Sequence, residues 1–539
     1  MLNLSTKIIL VFLVIISLVI LGFTIYNSVK CEKFTLSPSS ILTEPTSKGI
    51  FEKIFHITPE SAAIELKNSV HKLSENLTQK QTMLFATPQL EDRHPIVFIP
   101  ALGASRLEYT TNDDYKPPPH TYGMCSSSGN LWATADASVP FFETCFLDRF
   151  SVNLDKNGNI VNTNGVNVKA TTGEGGSEEG SFKAESYLLY MLGIGVSASI
   201  YMDPFYEALT PLGYKDKVDL FSYGYDFRRI GDNNYTNTYF KYLKGRLESI
   251  FVKSNKKIIL LSHSLGCPTT IYFLNVMGPQ WSNKYIEKFV AFAPAWGGSI
   301  KTMKPILYGD NEGIPMTKDH DFNDAEKVMG GIMMCMPSPL IYKDDEIVVV
   351  EKSDGSKQSY TSSQLPELFV KSGHQDSAKL YQIFDKNGVI GGDDNVIGGQ
   401  RIPRTLTDPE IEVEVIYSNC CKTAHQYTFS ATSSNTNPFD NAPTITSNMA
   451  GDGTVPELSC TYPCNNDFNK WSNCNCNKFP REKDMEAWKV LNNFQNEDEK
   501  NPSKKYIESL TKFHSTFEHL PIIQNKDVIN FAIDNFIKK

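Results

Sequence analysis

The apolar and polar positions along the chain fall into stretches of different period. Ile8 to Tyr26 is apolar apart from Ser17 and Thr24, carries no charge, and follows Lys7. As a helix these nineteen residues would rise about 28 Å, close to the hydrocarbon thickness of a bilayer. A cleavable signal usually has an apolar region of about 7–15 residues and a small-residue cleavage site. No such site stands out, so residues 1–30 are predicted to be a transmembrane signal-anchor, with a long cleaved signal as the alternative. Residues 31–91 are largely polar and read as a stalk. Within it Thr58-Pro59-Glu60 opens one helix through Ile64, Val70 and Leu73. Pro95-Ile96-Val97-Phe98-Ile99-Pro100 is the first short, unbroken apolar run, and Ile258-Ile259-Leu260-Leu261 is a second. Such runs suit parallel strands buried on both faces. Ile411 to Tyr417 is a further strand by its β-branched residues, and Val528, Phe531-Ala532 and Asn535-Phe536 have helical spacing.

Polar stretches separate these elements. Asp155-Lys156-Asn157-Gly158-Asn159 resembles the start of a calcium loop but lacks a glycine at the sixth position and an acid at the twelfth, so a hairpin turn is expected. Thr171 to Gly180, rich in Gly and Glu, has no apolar period and is expected to be a mobile loop. Residues 300 to about 400 abandon the strand–helix alternation. They include a Met-rich stretch, Met329 to Met336, that suits either a pocket for acyl chains or an ordinary core.

The chemistry enters where the second strand ends. Ser262-His263-Ser264-Leu265-Gly266 leads into a helix through Thr269-Thr270-Ile271-Tyr272-Phe273-Leu274, with Pro268 tolerated in its first turn. A serine on a strand-to-helix turn is the nucleophile elbow, here with Ser262 in place of the first glycine of G-x-S-x-G. The tight turn raises the Ser264 hydroxyl above the strand ends and aims the Leu265 amide at the oxygen of an attacked carbonyl. A serine hydroxyl needs an imidazole to take its proton and a carboxylate to orient that imidazole. In proteins built around such an elbow the chain order is Ser, acid, His. Gly451-Asp452-Gly453 follows the last strong strand, its glycines permitting a tight loop, so Asp452 is the candidate acid. Two histidines follow it, His514 and His519.

Composition narrows the setting. A formal net charge of −9 without a basic stripe argues against nucleic acid as a partner. Eleven cysteines behind an apolar N-terminus point to an oxidising, secretory compartment. There the sequons Asn76-Leu77-Thr78 and Asn234-Tyr235-Thr236 would be usable for glycosylation. Cys460, Cys464, Cys474 and Cys476 match zinc-finger spacings poorly; no metal or cofactor is expected.

Cys267, Tyr272-Phe273-Leu274-Asn275, Lys284-Tyr285-Ile286, Trp296-Gly297-Gly298-Ser299 and Gly309-Asp310-Asn311 resemble the lecithin:cholesterol acyltransferase family. That family includes lysosomal phospholipases A and phospholipid:diacylglycerol acyltransferases. Its usual Gly-Ala-Pro-Trp-Gly-Gly stands here as Ala293-Pro294-Ala295-Trp296-Gly297-Gly298. Tyr225-Asp226-Phe227-Arg228-Arg229 resembles a further family segment, in which Asp226 and Arg228 read as a structural ion pair. The resemblance spans roughly residues 92–535.

The resemblance implies an α/β-hydrolase fold with lid and cap insertions. Residues 92–299 would form the first part of the core, with a membrane-binding loop at about 120–150 and a lid at about 170–186. Residues 300–404 would form the cap, and 405–539 the rest of the core with the acid and the histidine. Glu518-His519-Leu520 fits the family's histidine pattern where His514-Ser515 does not, so the implied triad is Ser264, Asp452 and His519. His263 is a family feature beside the nucleophile, not the base. Carried over by position, Leu102 supplies the second oxyanion-hole amide beside Leu265. A disulfide between Cys125 and Cys145 would close a loop presenting Leu131 and Trp132 to a lipid surface. Cys460 would pair with Cys420 or Cys421, leaving Cys267 a free thiol. The implied activity is lipid O-acyl transfer or phospholipase A action. An acyl group would pass from a glycerophospholipid through Ser264 to a sterol, diacylglycerol or other lipid alcohol, or to water. The implied partner is a phospholipid membrane or lipoprotein-like surface. The catalytic domain would lie in the lumen of the endoplasmic reticulum or a lysosome-like compartment, or be secreted if the N-terminal segment is cleaved. A general lipase or esterase without transferase activity, and a catalytically silent lipid-binding protein, remain as alternatives.

Overall fold

The computed structural model describes residues 93–538, apart from 120, 122, 133, 135–141, 187–199, 315–316, 391–394, 398–399, 403–405, 465–470 and 496–501. The signal-anchor stretch, the stalk and Asn76 lie outside the described residues. Among those described, no helix is long and apolar enough to cross a membrane.

The apolar runs assemble into the centre of a mixed α/β fold. Its main sheet has seven strands: Ile96–Ile99 (β1), Gly180–Ser181 (β2), Leu220–Ser222 (β3), Ile258–His263 (β4), Ile286–Phe292 (β5), Val413–Ser418 (β6) and Cys474–Phe479 (β7). They are ordered β7-β6-β5-β4-β1-β3-β2. Every neighbouring pair is parallel except β2 with β3. Successive side chains of a strand point to opposite faces, and here both faces are covered. Val97, Ile99, Ile258, Leu260, Phe289 and Ala291 join one core cluster. Ile96, Phe98, Ile259, Leu261, Val290 and Phe292 join the other. Two-sided burial is why the central strands read as unbroken apolar runs rather than alternations.

Helix α1 (Asn233–Ser254) starts at Asp232, whose carboxylate accepts the Tyr235 amide, and stops at Asn255 in left-handed conformation, φ 52°. Helix α2 (Gly266–Met277) follows β4, and α3 (Lys504–Ser515) and α4 (Lys526–Ala532) close the chain. Asp155 accepts hydrogen bonds from the Asn157 and Asn159 amides and from the Asn159 side chain, closing the hairpin between Val152–Leu154 and Ile160–Asn162. The Met-rich stretch is core: Met329, Met333, Met334 and Met336 are all buried.

A second sheet is built from both sides of the expected cap boundary. The hairpin Glu346–Glu351/Lys357–Thr361 adds its first strand, in parallel, to Cys421–Ser430, which pairs antiparallel with Thr444–Gly451. The chain after β6 therefore completes a sheet begun within residues 300–404. Asp452 leaves the end of this sheet, not the end of a main-sheet strand.

Two expectations change. The strand Ser128–Trp132 pairs with Leu107–Thr111, and that pairing turns its end inward. Leu131 is 1% exposed. Trp132 stacks on Phe150, ring centroids 5.1 Å apart, and its indole N–H donates to the Gly103 carbonyl at 2.6 Å. Leu131 and Trp132 are packing residues, not a foot offered to lipid, although the Cys125–Cys145 bridge forms. The second bridge joins Cys464 to Cys476. Cys420 and Cys460 are not paired: Cys460 is a buried free thiol, while Cys420 lies 3.3 Å from Cys421, both sulfurs against the His514 carbonyl. The Gly/Glu-rich stretch folds into turns closed by Glu178 N–H to Thr171 O and Gly180 N–H to Thr172 O. Its composition hid these bonds because glycine turns leave no apolar period.

Candidate active site

Ser264 sits between β4 and α2 with φ at +54°, a strained backbone for a residue with a side chain. Its amide donates to the Phe292 carbonyl at 3.0 Å, tying the turn to β5. At Gly266 a Cβ would come 2.4 Å from the Ile99 carbonyl oxygen and 2.6 Å from that of Pro100, so only glycine lets α2 pass β1 this closely. Ser262, at the position of the first glycine, has its hydroxyl 2.7 Å from that of Thr270. Thr270 spends its own proton on the Gly266 carbonyl at 2.7 Å, so Ser262 donates to Thr270. The departure from the motif thus adds a buried link between strand and helix.

Asp452 is fully buried. One carboxylate oxygen accepts the Thr454 and Val455 amides at 2.9 and 2.7 Å. The other lies 2.7 Å from Nδ1 of His519. Two amides on one oxygen leave the second free to orient the imidazole. Gly453, at φ +88°, makes the turn and donates its amide to the Thr423 hydroxyl at 2.9 Å. His519 follows α3 in a loop whose backbone is fixed as well, its amide donating to the Asp452 carbonyl at 2.9 Å. Nε2 of His519 lies 2.8 Å from Oγ of Ser264. With Nδ1–H directed at the carboxylate, Nε2 presents a lone pair to the serine proton.

Neither the Leu102 nor the Leu265 amide donates to an acceptor among the described residues. Their side chains meet at Gly331. A Cβ there would lie 2.8 Å from Leu102 Cδ1, 2.8 Å from Leu265 Cδ2 and 2.6 Å from the Phe227 carbonyl oxygen. The helix Gly330–Met334 is therefore packed directly behind the two candidate oxyanion residues.

The remaining sequence candidates lie around this centre. His263 is buried, and burial together with the neighbouring His519 holds its pKa well below the ordinary histidine value. Cys267 is a buried thiol whose pKa burial drives far up, so it stays protonated and unreactive. Burial likewise lowers the His514 pKa, and among the described residues that side chain bonds neither Ser264 nor Asp452. Asp226 and Arg228 form a buried bidentate pair at 2.9 and 2.7 Å, and Arg228 also donates to the Arg149 and Phe150 carbonyls. Asn234 is exposed in the first turn of α1. Among the described residues no cluster of His, Cys, Asp and Glu is placed to hold a metal ion. Gly331 and Tyr201, which contacts His263, were not singled out from sequence. The Gly330-Gly331 pair inside an apolar stretch was a legible signal of close approach; Tyr201 had none.

Residues 128–387 match the family model for lecithin:cholesterol acyltransferase. Lecithin-cholesterol acyltransferase-like 1 of Arabidopsis thaliana is 26% identical over 54% of this chain and 68% of its own length. Phosphatidylcholine-sterol acyltransferase of Mus musculus is 23% identical over 49% of this chain and 58% of its own. Lysosomal phospholipase A and acyltransferase of Canis lupus familiaris is 24% identical over 57% of this chain and 72% of its own. By this match and these relatives, the chain is similar to the lecithin:cholesterol acyltransferase family over about half of its length.

Proposed function

We propose that this chain is an enzyme of α/β-hydrolase type that removes an acyl group from a glycerophospholipid through Ser264 and passes it to a lipid alcohol or to water. The observation that carries the reading is the unbroken line from Asp452 through His519 to the Ser264 hydroxyl, 2.7 and 2.8 Å. The names of the relatives supply the substrate class.

In the first half-reaction His519 takes the Ser264 proton as Oγ attacks the ester carbonyl. The carbonyl electrons move onto oxygen, where the Leu102 and Leu265 amides stabilise the charge. Removing one such donor costs roughly 3–4 kcal/mol in the transition state. The tetrahedral centre collapses, the carbon–oxygen bond to the lysolipid breaks, and His519 gives the proton to the departing alkoxide. In the second half His519 takes a proton from the acceptor hydroxyl, which attacks the Ser264 ester, and returns it to Oγ. Asp452 stabilises the imidazolium in both halves without taking a proton. The Cys125–Cys145 and Cys464–Cys476 bridges support a lumenal or extracellular setting.

Phosphatidylcholine labelled in either acyl chain, incubated with the full chain with and without a sterol or long-chain alcohol, tests the reading. Lysolipid plus acylated alcohol is the expected product pair, with free fatty acid when alcohol is omitted. Fatty acid alone under both conditions would favour a lipase or phospholipase without transfer. No lysolipid under any condition would favour the silent lipid-binding alternative.

A further inference from the structure

The strand end that carries Ser264 also carries His263, which is 2% exposed. Its Nε2 lies 2.9 Å from the main-chain carbonyl oxygen of His519. A carbonyl only accepts, so Nε2 bears the proton. The ring is neutral, in keeping with the lowering of its pKa by burial. Nδ1 must then accept, and its partner is the Tyr201 hydroxyl at 3.1 Å. The Tyr201 oxygen in turn accepts the Ala101 amide at 3.3 Å. Ala101 precedes Leu102, the candidate oxyanion residue. One directed chain of donors therefore runs from the loop after β1, through Tyr201 and His263, to the backbone of the catalytic base.

We propose that Tyr201 and His263 are positioning residues for the Ser264–His519 pair: Tyr201 anchors the His263 ring at Nδ1, and His263 holds the His519 backbone in register with the oxyanion loop. The inference rests on the reading of Ser264 and His519 as nucleophile and base. The His519 main chain is gripped on both sides, its amide by the Asp452 carbonyl and its own carbonyl by His263. With Nδ1–H on the Asp452 carboxylate, three bonds set the direction of Nε2. The His519 carbonyl sets the Nε2–H tautomer; without the Tyr201 hydroxyl the buried Nδ1 loses this donor and the ring loses its second anchor. The Nδ1–H form would set two lone pairs, Nε2 and the His519 carbonyl, against each other and release the loop. An apolar side chain would fill the space at His263 without orienting anything. The chain of donors is what calls for an imidazole there.

The test uses the full chain with Tyr201→Phe, His263→Gln and His263→Leu. The readouts are a soluble short-chain ester, a fluorophosphonate titration of reactive Ser264, and ¹⁵N signals of labelled histidine. Tyr201→Phe keeps the ring and its packing. It should lower kcat at least tenfold with KM within twofold, and the melting temperature should move little. The His263 Nδ1 signal should shift as it loses its hydrogen-bond donor, while Nε2 stays the protonated nitrogen. Glutamine can donate an N–H to the His519 carbonyl, so His263→Gln should retain at least tenfold more kcat than His263→Leu. The inference is overturned if Tyr201→Phe keeps wild-type kcat, or if His263→Gln and His263→Leu lose activity equally. It is also overturned if kcat falls only in step with the fraction unfolded. A wild-type chain whose Ser264 does not react with the probe would instead defeat the underlying reading, and this inference with it.

Discussion

Gly331→Ala adds one methyl group behind the two candidate oxyanion residues and touches nothing that reacts. The methyl would arrive 2.8 Å from both Leu102 Cδ1 and Leu265 Cδ2 and 2.6 Å from the Phe227 carbonyl oxygen. Carbon contacts are comfortable only near 3.5–4.0 Å, so neighbours must give by roughly an ångström. The Phe227 carbonyl is held by the Gly331 amide at 2.9 Å and has little freedom. The strain therefore falls on the leucines, and Leu265 is fully buried with no solvent to swing into. Overpacking of this kind costs about 1–3 kcal/mol of stability. Loss of one whole oxyanion donor lowers kcat by about 10²–10³, and displacement is less than loss. We expect a fall in kcat of about 10–100-fold with KM within about twofold, because the amides act on the transition state and not on bound substrate. The assay is turnover of a water-soluble ester beside a thermal melt. Gly245→Ala is the matched control, since no atom lies within 4 Å of its Cβ. On α1 it should stabilise by up to about 1 kcal/mol and leave kcat alone. Wild-type kcat and melting temperature in Gly331→Ala would refute the argument that this helix holds the two amides.

Three further outcomes follow from the same geometry. His519→Ala should remove nearly all turnover, whereas His514→Ala should keep kcat within a few-fold; the reverse pattern in the ester assay would reassign the base. Leu131→Ala should cost about 2–5 kcal/mol in urea unfolding without weakening vesicle binding, since the side chain is 1% exposed; weaker binding at unchanged stability would restore the surface role. Glu185 is 1% exposed, and burial raises its pKa to about 7, against the opposing bond from Thr172. A carboxyl raised in the folded state binds its proton more tightly there, so its contribution is full below 4.5 and is lost as pH rises to about 7. That gap is worth about 3 kcal/mol, and unfolding of Glu185→Gln at pH 4.5 and 7.5 should lack the fall; an unchanged slope would remove Glu185 from the account.

The legible parts of the chain were those where local chemistry and fold agree. Buried parallel strands cannot avoid unbroken apolar runs, so β1 and β4 were plain from residue type alone. The elbow was plain because Gly266 and Ser264 leave a signature of small residues at a tight turn. Leu131-Trp132 misled because an apolar pair in a cystine-closed loop reads the same whether it faces lipid or core. Only the pairing of Ser128–Trp132 with Leu107–Thr111 decides, and that pairing is long-range. The bridge partners were illegible for a similar reason: cysteine spacing does not say which sulfurs the sheets bring together. The second sheet was hidden because its strands come from segments some 70 residues apart in sequence, Glu346–Glu351 and Cys421–Ser430.

The central claim is that an acyl group rests on Ser264 during turnover. Full-length chain mixed with acyl-labelled phosphatidylcholine, quenched in acid within the first turnovers and digested, tests it by peptide mass and label. The account predicts one equivalent of label or less on the peptide bearing Ser264, discharged faster when a lipid alcohol is present and absent in Ser264→Ala. Label on another residue, or unchanged lysolipid release by Ser264→Ala, would contradict it.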